Sequence, residues 1–381
     1  MTSAPREGAD SGERALLRDA VSDFVARGTD LKRVRRLRGA QPEFDREVWS
    51  QLAEFGWLGI LVPEQHGGLG LGLAEMAIAA QGLARALIPE PLTASAVLAT
   101  RSIVHGDNDA LKQLLLPKLV GGESTAALAW QETAGNLDCN AVQTRAENVA
   151  DGVRLNGSKQ FIAGASGADG FVVSAQSAQG LAVYWVPRTT PGVELSFELL
   201  ADGRHYGTVR LNDVKIPQSD CVASAACARA ALARACDEGA VIASAELTGV
   251  MSRALEITLD YMKTRVQFGK PIGSFQALQH RSVDLYIQQE LASAALDEAT
   301  AKIDAGCDER TRAALASRIK ARASEAGLLI TRQAIQLHGA IGYTEECDIG
   351  LFLKRALTLS AWLGNATTHR RRYAALSAAA H

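Results

Sequence analysis

Two segments in the last third of the chain carry residue types that suit the binding of a phosphorylated ligand. Residues 265–280 have the sequence RVQFGKPIGSFQALQH, and residues 336–346 have the sequence QLHGAIGYTEE. The guanidinium of Arg265 presents a planar fork of donors that matches a phosphate group. Gly339 and Gly342 would let the main chain approach a ligand closely, because glycine has no side chain. Either segment alone could equally be a turn between two helices, so only their combination indicates a binding site.

Other kinds of catalytic or metal site find no support in the sequence. The seven histidines show no spacing typical of metal ligands, and we therefore expect no metal site. No GxSxG sequence indicates a serine hydrolase. The glycine-rich residues 68–72 follow a loop and lack the strand and helix that surround a nucleotide-binding fingerprint. The six cysteines are scattered and form no CxxC pair, which is typical of reduced thiols in the cytoplasm.

Composition and charge exclude several functional classes. The 381 residues include 40 Lys and Arg and 42 Asp and Glu, so the formal net charge is −2. This balance does not favour a nucleic-acid binder. An apolar content of 47% indicates a globular chain, and no apolar run approaches the ~20 residues of a membrane span. The N-terminus lacks the apolar core of a signal peptide, so we expect a cytoplasmic protein.

The hydrophobic periodicity changes twice along the chain and predicts three domains. Helical spacing over residues 1–122 predicts an N-terminal helical domain. Alternation of apolar and polar residues within 123–222, as in Val193–Leu199, predicts a small antiparallel β domain. The helical period returns over residues 223–381, where one long helix precedes helical stretches near 275–303, 309–338 and 349–377. Four long helices with short connections predict an up-and-down bundle.

The two segments, their order and the central β domain resemble the flavin-dependent acyl-CoA dehydrogenase family. A third segment, LNGSKQFI at residues 155–162, adds to this resemblance, which covers nearly the whole chain. The small subunits of heteromeric bacterial dehydrogenases for dicarboxylic or steroid-derived acyl-CoAs are the most similar. The resemblance implies a mostly α fold with an N-terminal helical domain, an antiparallel β domain and a C-terminal four-helix bundle. It also implies an FAD between the β domain of one subunit and the bundle of its neighbour.

The reaction that the resemblance implies removes two hydrogens across the α,β bond of an acyl-CoA thioester. A carboxylate takes the α proton, FAD accepts the β hydrogen as hydride, and an electron-transfer flavoprotein or a similar acceptor takes the electrons. The protein must then supply orientation, a base and polarisation of the thioester carbonyl.

The resemblance divides the cofactor-binding residues between two half-sites. The residues that would reach a neighbour's FAD from the bundle are Arg265, Phe268, Gln276, Gln336, Gly339 and Gly342. In the β domain, Trp130 and Phe161 lie in the segments that would contact the flavin. Three hydroxyl residues common in the family at this place are replaced here by Gln131, Leu137 and Ala163. The β-domain half-site is therefore altered, although backbone amides could still serve, whereas the bundle half-site is intact.

The position of the family's catalytic base has no carboxylate in this chain. Counted without gaps, the usual glutamate falls on Gly364, and the next position, often aspartate in small subunits, is Asn365. An amide cannot accept a proton at neutral pH. A second family position for the glutamate falls on Gly239. Its neighbour Glu238 is the fallback candidate, together with Asp237, but one step along a helix turns a side chain by about 100°.

These observations favour a base-lacking subunit of a heteromeric acyl-CoA dehydrogenase, whose partner chain holds most of the FAD and supplies the glutamate. Two alternatives stay open: a self-sufficient homo-oligomer with an unrecognised base, and a non-catalytic acyl-CoA-binding or structural subunit. The flavin content of the chain purified alone distinguishes them. The acyl group of the substrate does not follow from the sequence, because the depth of the pocket depends on helix geometry.

Overall fold

The computed structural model describes residues 7–28 and 30–378 and begins with a helical region. The helices are α1 (Glu7–Gly28), α2 (Leu31–Leu37), α3 (Arg46–Glu54), α4 (Leu73–Arg85), α5 (Thr100–Val104) and α6 (Asp109–Val120). A π-helical segment, Leu92–Ala99, runs directly into α5. The apolar residues of α4 recur every three or four positions, and Leu73, Met76, Ala80 and Leu83 are all buried. This spacing places one apolar stripe against the core and explains the helix.

A sheet of eight strands forms the middle of the molecule. The strands are β1 (Ala126–Ala129), β2 (Arg145–Val149), β3 (Gly152–Ala163), β4 (Gly170–Ser177), β5 (Gly180–Pro187), β6 (Val193–Leu199), β7 (His205–Ile216) and β8 (Cys221–Ala223). Their order is β6-β7-β3-β2-β4-β5-β8, and β1 also pairs with β4. In β6, the predicted alternation is present: Val193, Leu195 and Phe197 pack on the sheet core, although Leu199 is exposed.

The sheet is mixed, whereas the sequence predicted an antiparallel one. The hairpins β2–β3 and β4–β5 and the β3–β7 and β6–β7 pairs are antiparallel. However, β1 runs parallel to β4 over four residue pairs, and β2 meets β4 in parallel at one pair. Parallel neighbours need a long connection. In this chain the long connection consists of the residues between β1 and β4, which include the β2–β3 hairpin.

The C-terminal third is a helical bundle. Its helices are α7 (Ala228–Thr264), α8 (Gln276–Asp304), α9 (Glu309–His338), α10 (Ile349–Ala361) and α11 (Ala366–Ala378). A hairpin of β9 (Val266–Gln267) and β10 (Lys270–Pro271) connects α7 to α8. The predicted architecture, helices followed by a β domain and a helical bundle, is confirmed.

The stretch predicted as one helix near 349–377 is instead two helices, α10 and α11. Between them, Leu363 has a φ of +57° and Gly364 a φ of +100°. Such left-handed values cannot continue a right-handed helix. The fourth long helix predicted for the bundle is therefore interrupted at Gly364, the position to which the resemblance assigns the family's base.

A buried ion network centred on α10 connects the sheet to the bundle. The guanidinium of Arg355 on α10 lies 2.9 Å from Asp202 in the β6–β7 turn and 2.5 Å from Glu246 on α7. The side chains of all three residues are almost fully buried. Burial opposes the ionisation of Glu246, but the attraction of Arg355 and Arg204 outweighs it and holds the pKa of Glu246 below its usual range. Among the described residues, no helix is both long and apolar enough to cross a membrane.

Candidate functional site

The two segments that the sequence predicts to bind a ligand meet at one end of the bundle, where α7 and α9 end and α8 begins. The Tyr261 hydroxyl donates a hydrogen bond to the carbonyl oxygen of His338 at 3.3 Å. The two rings also stack, with their centroids 4.4 Å apart. This contact joins the last turn of α7 to the last turn of α9. Arg265, one helical turn after Tyr261, is thereby held on the same end of the bundle as the loop that begins at Gly339.

Three polar side chains at this end have no side-chain hydrogen bond or ion pair with any described residue. They are Arg265, Gln276 and Gln336, and all three are exposed. Phe268, at the tip of the β9–β10 hairpin, is 92% exposed. Exposed aromatic and arginine side chains are enriched where proteins contact partners. We call Arg265, Phe268, Gln276, Gln336, Gly339 and Gly342 the bundle half-site.

The two glycines of the bundle half-site serve different purposes. Gly339 ends α9 with a φ of +69°, and a Cβ there would meet nothing within 4 Å. Open space above this residue leaves room for a ligand. At Gly342, a Cβ would lie 2.9 Å from the carbonyl oxygen of Ile335 and 3.1 Å from the Cβ of His338. Gly342 is therefore required by the packing of the loop on its own helix.

The β-domain half-site, defined here by Trp130 and Phe161, lies on two adjacent segments. The backbone N–H of Gln160 donates to the carbonyl oxygen of Gln131 at 2.8 Å, which brings the segments together. Trp130 is buried, whereas Phe161 is half-buried and has a φ of +56°. The side-chain amide of Gln131 donates to the carbonyl oxygen of Asn136 at 3.0 Å. This donor is thus used inside the chain.

The two family positions of the base converge on one apolar cluster. A Cβ built on Gly239 would lie 2.3 Å from a methyl carbon of Leu98 and 3.4 Å from one of Leu363. A Cβ built on Gly364 would lie 2.6 Å from a methyl carbon of Leu137. We call Leu98, Leu137, Gly239, Leu363 and Gly364 the base region. Leucine methyl groups therefore crowd the Cβ position at both glycines, and at Gly364 the His369 ring lies 2.9 Å from the same position.

Asn365 has a structural role. Its side-chain oxygen accepts hydrogen bonds from the backbone N–H of Thr368 at 3.0 Å and from the Thr368 hydroxyl at 3.1 Å. Asn365 immediately precedes α11, so this is the arrangement of a helix N-cap. Asn365 therefore caps α11, and its side-chain oxygen is used in this cap.

Glu238, the fallback candidate, is held in a buried cluster of cations. Its carboxylate accepts hydrogen bonds from Arg101 at 2.7 and 3.0 Å and from Arg234 at 3.1 Å, and His105 Nε2 lies 3.1 Å away. Burial opposes ionisation, but the hydrogen bonds and charges outweigh it and hold the pKa of Glu238 well below its usual range. A carboxylate so strongly stabilised in its charged form has little tendency to take a proton.

Asp237 is also engaged within the chain. Its two carboxylate oxygens lie 2.7 Å from Arg372 and 3.3 Å from Arg312. Burial raises its pKa despite both arginines. The geometry of Asp237 and Glu238 thus favours structural roles for both.

Two buried basic residues that the sequence analysis did not select hold the turn between α10 and α11. The ammonium of Lys320 donates to the carbonyl oxygens of Leu359 and Gly364, both at 3.0 Å, and burial lowers its pKa to about 7. His369 Nε2 lies 2.8 Å from the carbonyl oxygen of Leu363, and burial lowers the pKa of His369 to about 4. In the sequence, Lys320 interrupts the alanine-rich stripe of α9, and this interruption could have identified it as a residue of interest.

Comparisons with known proteins point to one family. Two family models match the chain: "Acyl-CoA dehydrogenase, N-terminal domain" over residues 11–123 and "Acyl-CoA dehydrogenase, C-terminal domain" over residues 229–377. The curated relative acyl-CoA dehydrogenase IpdE2 of Mycobacterium tuberculosis is 33% identical over 347 residues, which cover 90% of this chain and 91% of that protein.

Solved structures give the same result. A variant of the Tcur3481–Tcur3483 steroid ACAD has a TM-score of 0.87 and 29% identity, covering 97% of this chain and 99% of that chain. The ChsE4–ChsE5 complex from Mycobacterium tuberculosis contains a chain with a TM-score of 0.87 and 26% identity, covering 99% of both chains.

Proposed function

Because the chain belongs to the acyl-CoA dehydrogenase family, whose members are oxidoreductases acting on the CH–CH bond of acyl-CoA, we propose that it is a base-lacking subunit of a heteromeric dehydrogenase. In this proposal a partner chain holds most of an FAD and supplies the catalytic carboxylate. FAD, which the family binds, supplies the acceptor for the β hydrogen. This chain contributes binding groups from its bundle half-site.

The observation that carries the proposal is the apolar base region. Neither Gly239 nor Gly364 has a carboxylate, and the space beside each is filled by leucine side chains. The neighbouring acids, Asp237 and Glu238, are paired with arginines. General-base catalysis needs a group within hydrogen-bonding reach of the proton that it removes. We find no such group among the carboxylates next to the base region.

The bundle half-site supports the second part of the proposal. The guanidinium of Arg265 is exposed and unpaired among the described residues, so it can bind a pyrophosphate without breaking a contact of its own. The exposed amides of Gln276 and Gln336 can donate to the same ligand. The ring of Phe268 offers an apolar surface. These groups fit a cofactor that approaches from outside this chain.

An exposed apolar stripe on α8 supports association with another chain. Val283, Tyr286, Ile287 and Leu291 recur at helical spacing, and each is about half exposed. The stripe begins seven residues after Gln276 on the same helix. Contiguous exposed apolar side chains are typical of protein interfaces. We propose that a second acyl-CoA dehydrogenase-like chain covers this stripe and presents its FAD to the bundle half-site.

The relatives favour a class of substrate for the assembled enzyme. One structural relative is named as a steroid ACAD. Together with the resemblance to small subunits of dicarboxylic and steroid-derived acyl-CoA dehydrogenases, this supports a steroid-derived or dicarboxylic acyl-CoA as substrate. The electrons would then pass to an electron-transfer flavoprotein or a similar acceptor.

Flavin stoichiometry tests the proposal. The chain is expressed alone and together with a base-bearing acyl-CoA dehydrogenase chain from a neighbouring gene, and FAD and protein are quantified after gel filtration. We expect little FAD on the chain alone and about one FAD per pair of unlike subunits in the complex. Tight binding of one FAD per chain in a homo-oligomer would instead support the self-sufficient alternative.

A further inference from the structure

Folding brings two of the six cysteines together at the junction of the β domain and the bundle. Cys139 lies on the connection between β1 and β2, and Cys236 lies on α7. Both line one cavity of about 260 Å³, which borders the base region through Leu363. The two cysteines are far apart in the sequence, so no CxxC pair indicates their proximity.

The two thiols interact directly. Burial and, more strongly, a side-chain hydrogen bond with Cys139 raise the pKa of the Cys236 thiol well above its usual range. Cys139 is 9% exposed and belongs to the apolar core cluster against which Cys236 packs. Both cysteines are free in the structure. Two reduced cysteines in contact are the starting point for a disulfide within one chain.

The backbones that carry the two thiols differ in how easily they can move. Since α7 is a continuous helix of 37 residues, Cys236 is held by a regular backbone. Residues 130–144, the β1–β2 connection, form neither a helix nor a strand. Next to Cys139, the backbone N–H of Asn140 donates to the Asp138 carboxylate at 2.9 Å, which is a local bond. The connection can therefore move the short distance from a thiol contact to an S–S bond of about 2.05 Å.

The cavity gives a small oxidant access to the thiols. Asp138 and Asn140, on either side of Cys139, line it and are exposed, so the cavity reaches the surface there. Cys236 is half-buried. By the same measure of volume, about 10–15 Å³ is enough to hold one water molecule. A space of about 260 Å³ therefore admits hydrogen peroxide, which has only two heavy atoms.

We propose that Cys139 and Cys236 form a reversible disulfide when the chain meets hydrogen peroxide, and that this bond fixes the β1–β2 connection on α7. One sulfur, as thiolate, attacks a peroxide oxygen; the O–O bond breaks, the hydroxide released takes up the thiol proton as water, and a sulfenic acid forms. The second sulfur attacks the sulfenic sulfur, the S–O bond breaks, and a second water leaves with the second thiol proton. Two thiols thus lose two electrons, and one peroxide is reduced to two waters.

The bond would restrain the region beside it. Leu137, two positions before Cys139, lines the same cavity and approaches Gly364. Fixing Cys139 on α7 therefore also limits the movement of the connection next to the base region. The reaction should be slow, because the thiolate is the reactive form and Cys236 is held as the thiol. No step involves FAD or a partner chain, so the proposal does not depend on the proposed function.

Peptide mapping tests the bond. The folded full chain is treated with millimolar hydrogen peroxide, the remaining thiols are blocked with N-ethylmaleimide, and the monomer band of a non-reducing gel is digested and analysed by mass spectrometry. We expect a pair of peptides linked through Cys139 and Cys236 that separates on treatment with dithiothreitol. Amide hydrogen exchange over residues 130–144 should slow about tenfold or more in the oxidised chain, because a crosslink removes open conformations.

Serine variants assign the effect to this pair. Cys139→Ser and Cys236→Ser each remove one sulfur, and each should abolish both the linked peptides and the slower exchange. Cys307→Ser is the matched control, because Cys307 is half-buried against the same core cluster but does not line the cavity, and it should leave both results unchanged.

Three results would overturn the inference. The first is the absence of the linked peptides from the monomer band of the oxidised wild-type chain, including the case in which they occur only in a dimer band. The second is a loss of thiols that dithiothreitol does not restore, because this indicates sulfinic acid in place of a disulfide. The third is equal slowing of exchange over residues 130–144 in the wild-type chain and in Cys139→Ser.

Discussion

The bundle half-site lies at one end of the helical bundle, whereas the base region lies where Leu98 and Leu137 contact the bundle, and the two regions differ in how their polar groups and their space are used. At the bundle half-site, Arg265, Gln276 and Gln336 are exposed and leave their donors unused within the described chain. At the base region, leucines fill the space, and the surrounding charges are paired or buried. The first region has donors available for a contact outside the chain, as proposed, whereas the groups of the second region contact one another. Change to the first should therefore alter assembly, and change around the second should alter stability.

The largest effect is expected in catalysis. We predict that the chain alone exchanges the α protons of a saturated acyl-CoA with deuterated water at least about a hundredfold more slowly than the complex with a base-bearing partner. General-base catalysis contributes about 10²–10⁴-fold, and the base region has no carboxylate. Mass spectrometry of the recovered acyl-CoA measures the exchange.

A complex in which the partner's catalytic glutamate is replaced by glutamine is the control for this experiment, and it should be as slow as the chain alone. Rapid exchange by the chain alone would show that a base exists in it. The conclusion that the base region supplies no base would then be wrong.

The next effect concerns the stability of the ion cluster near the base region. Glu238→Gln leaves the half-buried Arg101 without its carboxylate partner, and breaking a buried ion pair typically costs about 3–5 kcal/mol in the free energy of unfolding. Urea denaturation followed by circular dichroism measures it. Glu298→Gln is the matched control, because Glu298 is paired with Lys302 and Arg318 in solvent, and its replacement should have no measurable effect. Equal stability of the two variants would refute the structural role of Glu238.

At the bundle half-site the expected effect is smaller and appears only in the complex. Arg265→Ala should weaken FAD retention about ten- to a hundredfold, because a charge-assisted hydrogen bond to a buried anion contributes about 1.5–3 kcal/mol. Equilibrium dialysis of the complex at limiting FAD measures it. The urea midpoint of the chain alone should not change, because the Arg265 side chain has no partner among the described residues. Arg371→Ala is the control, and unchanged FAD content in Arg265→Ala would show that Arg265 does not reach the cofactor.

The smallest effect is a difference in pH dependence. The pKa of Glu238 is held below its usual value of 4.5 in the folded chain, so the unfolded chain binds more protons in the acidic range. The stabilisation is therefore fully present above about pH 4.5 and is lost as the pH falls below it. The slope for one such group is at most about 1.4 kcal/mol per pH unit. Between pH 4.5 and 3, the wild-type chain should lose stability more steeply than Glu238→Gln, and parallel curves would contradict the pKa shift.

The elements that the sequence predicted correctly are those set by local patterns. The periodicity of the apolar residues is enough to place α7, α8 and α9, and the glycine at position 339 ends α9 as expected of a C-terminal cap. The segments around Arg265 and Gln336 could be assigned to one predicted site because each has recognisable residue types. Residue types and their local spacing are read directly from the sequence.

The features that could not be predicted depend on contacts between distant parts of the chain. Leu98 and Leu137 approach Gly239 and Gly364 only after folding, so the apolar filling of the base region has no local signal. The break at Leu363 is also non-local. Leucine favours helices, yet here it adopts a φ of +57°, held by the hydrogen bonds of Lys320 and His369. Tertiary contacts thus override the propensity that predicted one continuous helix.

The positive φ of Gly364 makes a carboxylate difficult to introduce at this position. A glutamate there would need a left-handed backbone, and its Cβ would lie 2.6 Å from Leu137 and 2.9 Å from the His369 ring. A single substitution therefore creates a strained side chain before it creates a base. Restoring an acid requires at least a smaller residue at position 137 and a rearranged turn, and each of these changes has no benefit by itself. Under the proposed function, this backbone would keep the chain dependent on a second chain for its base.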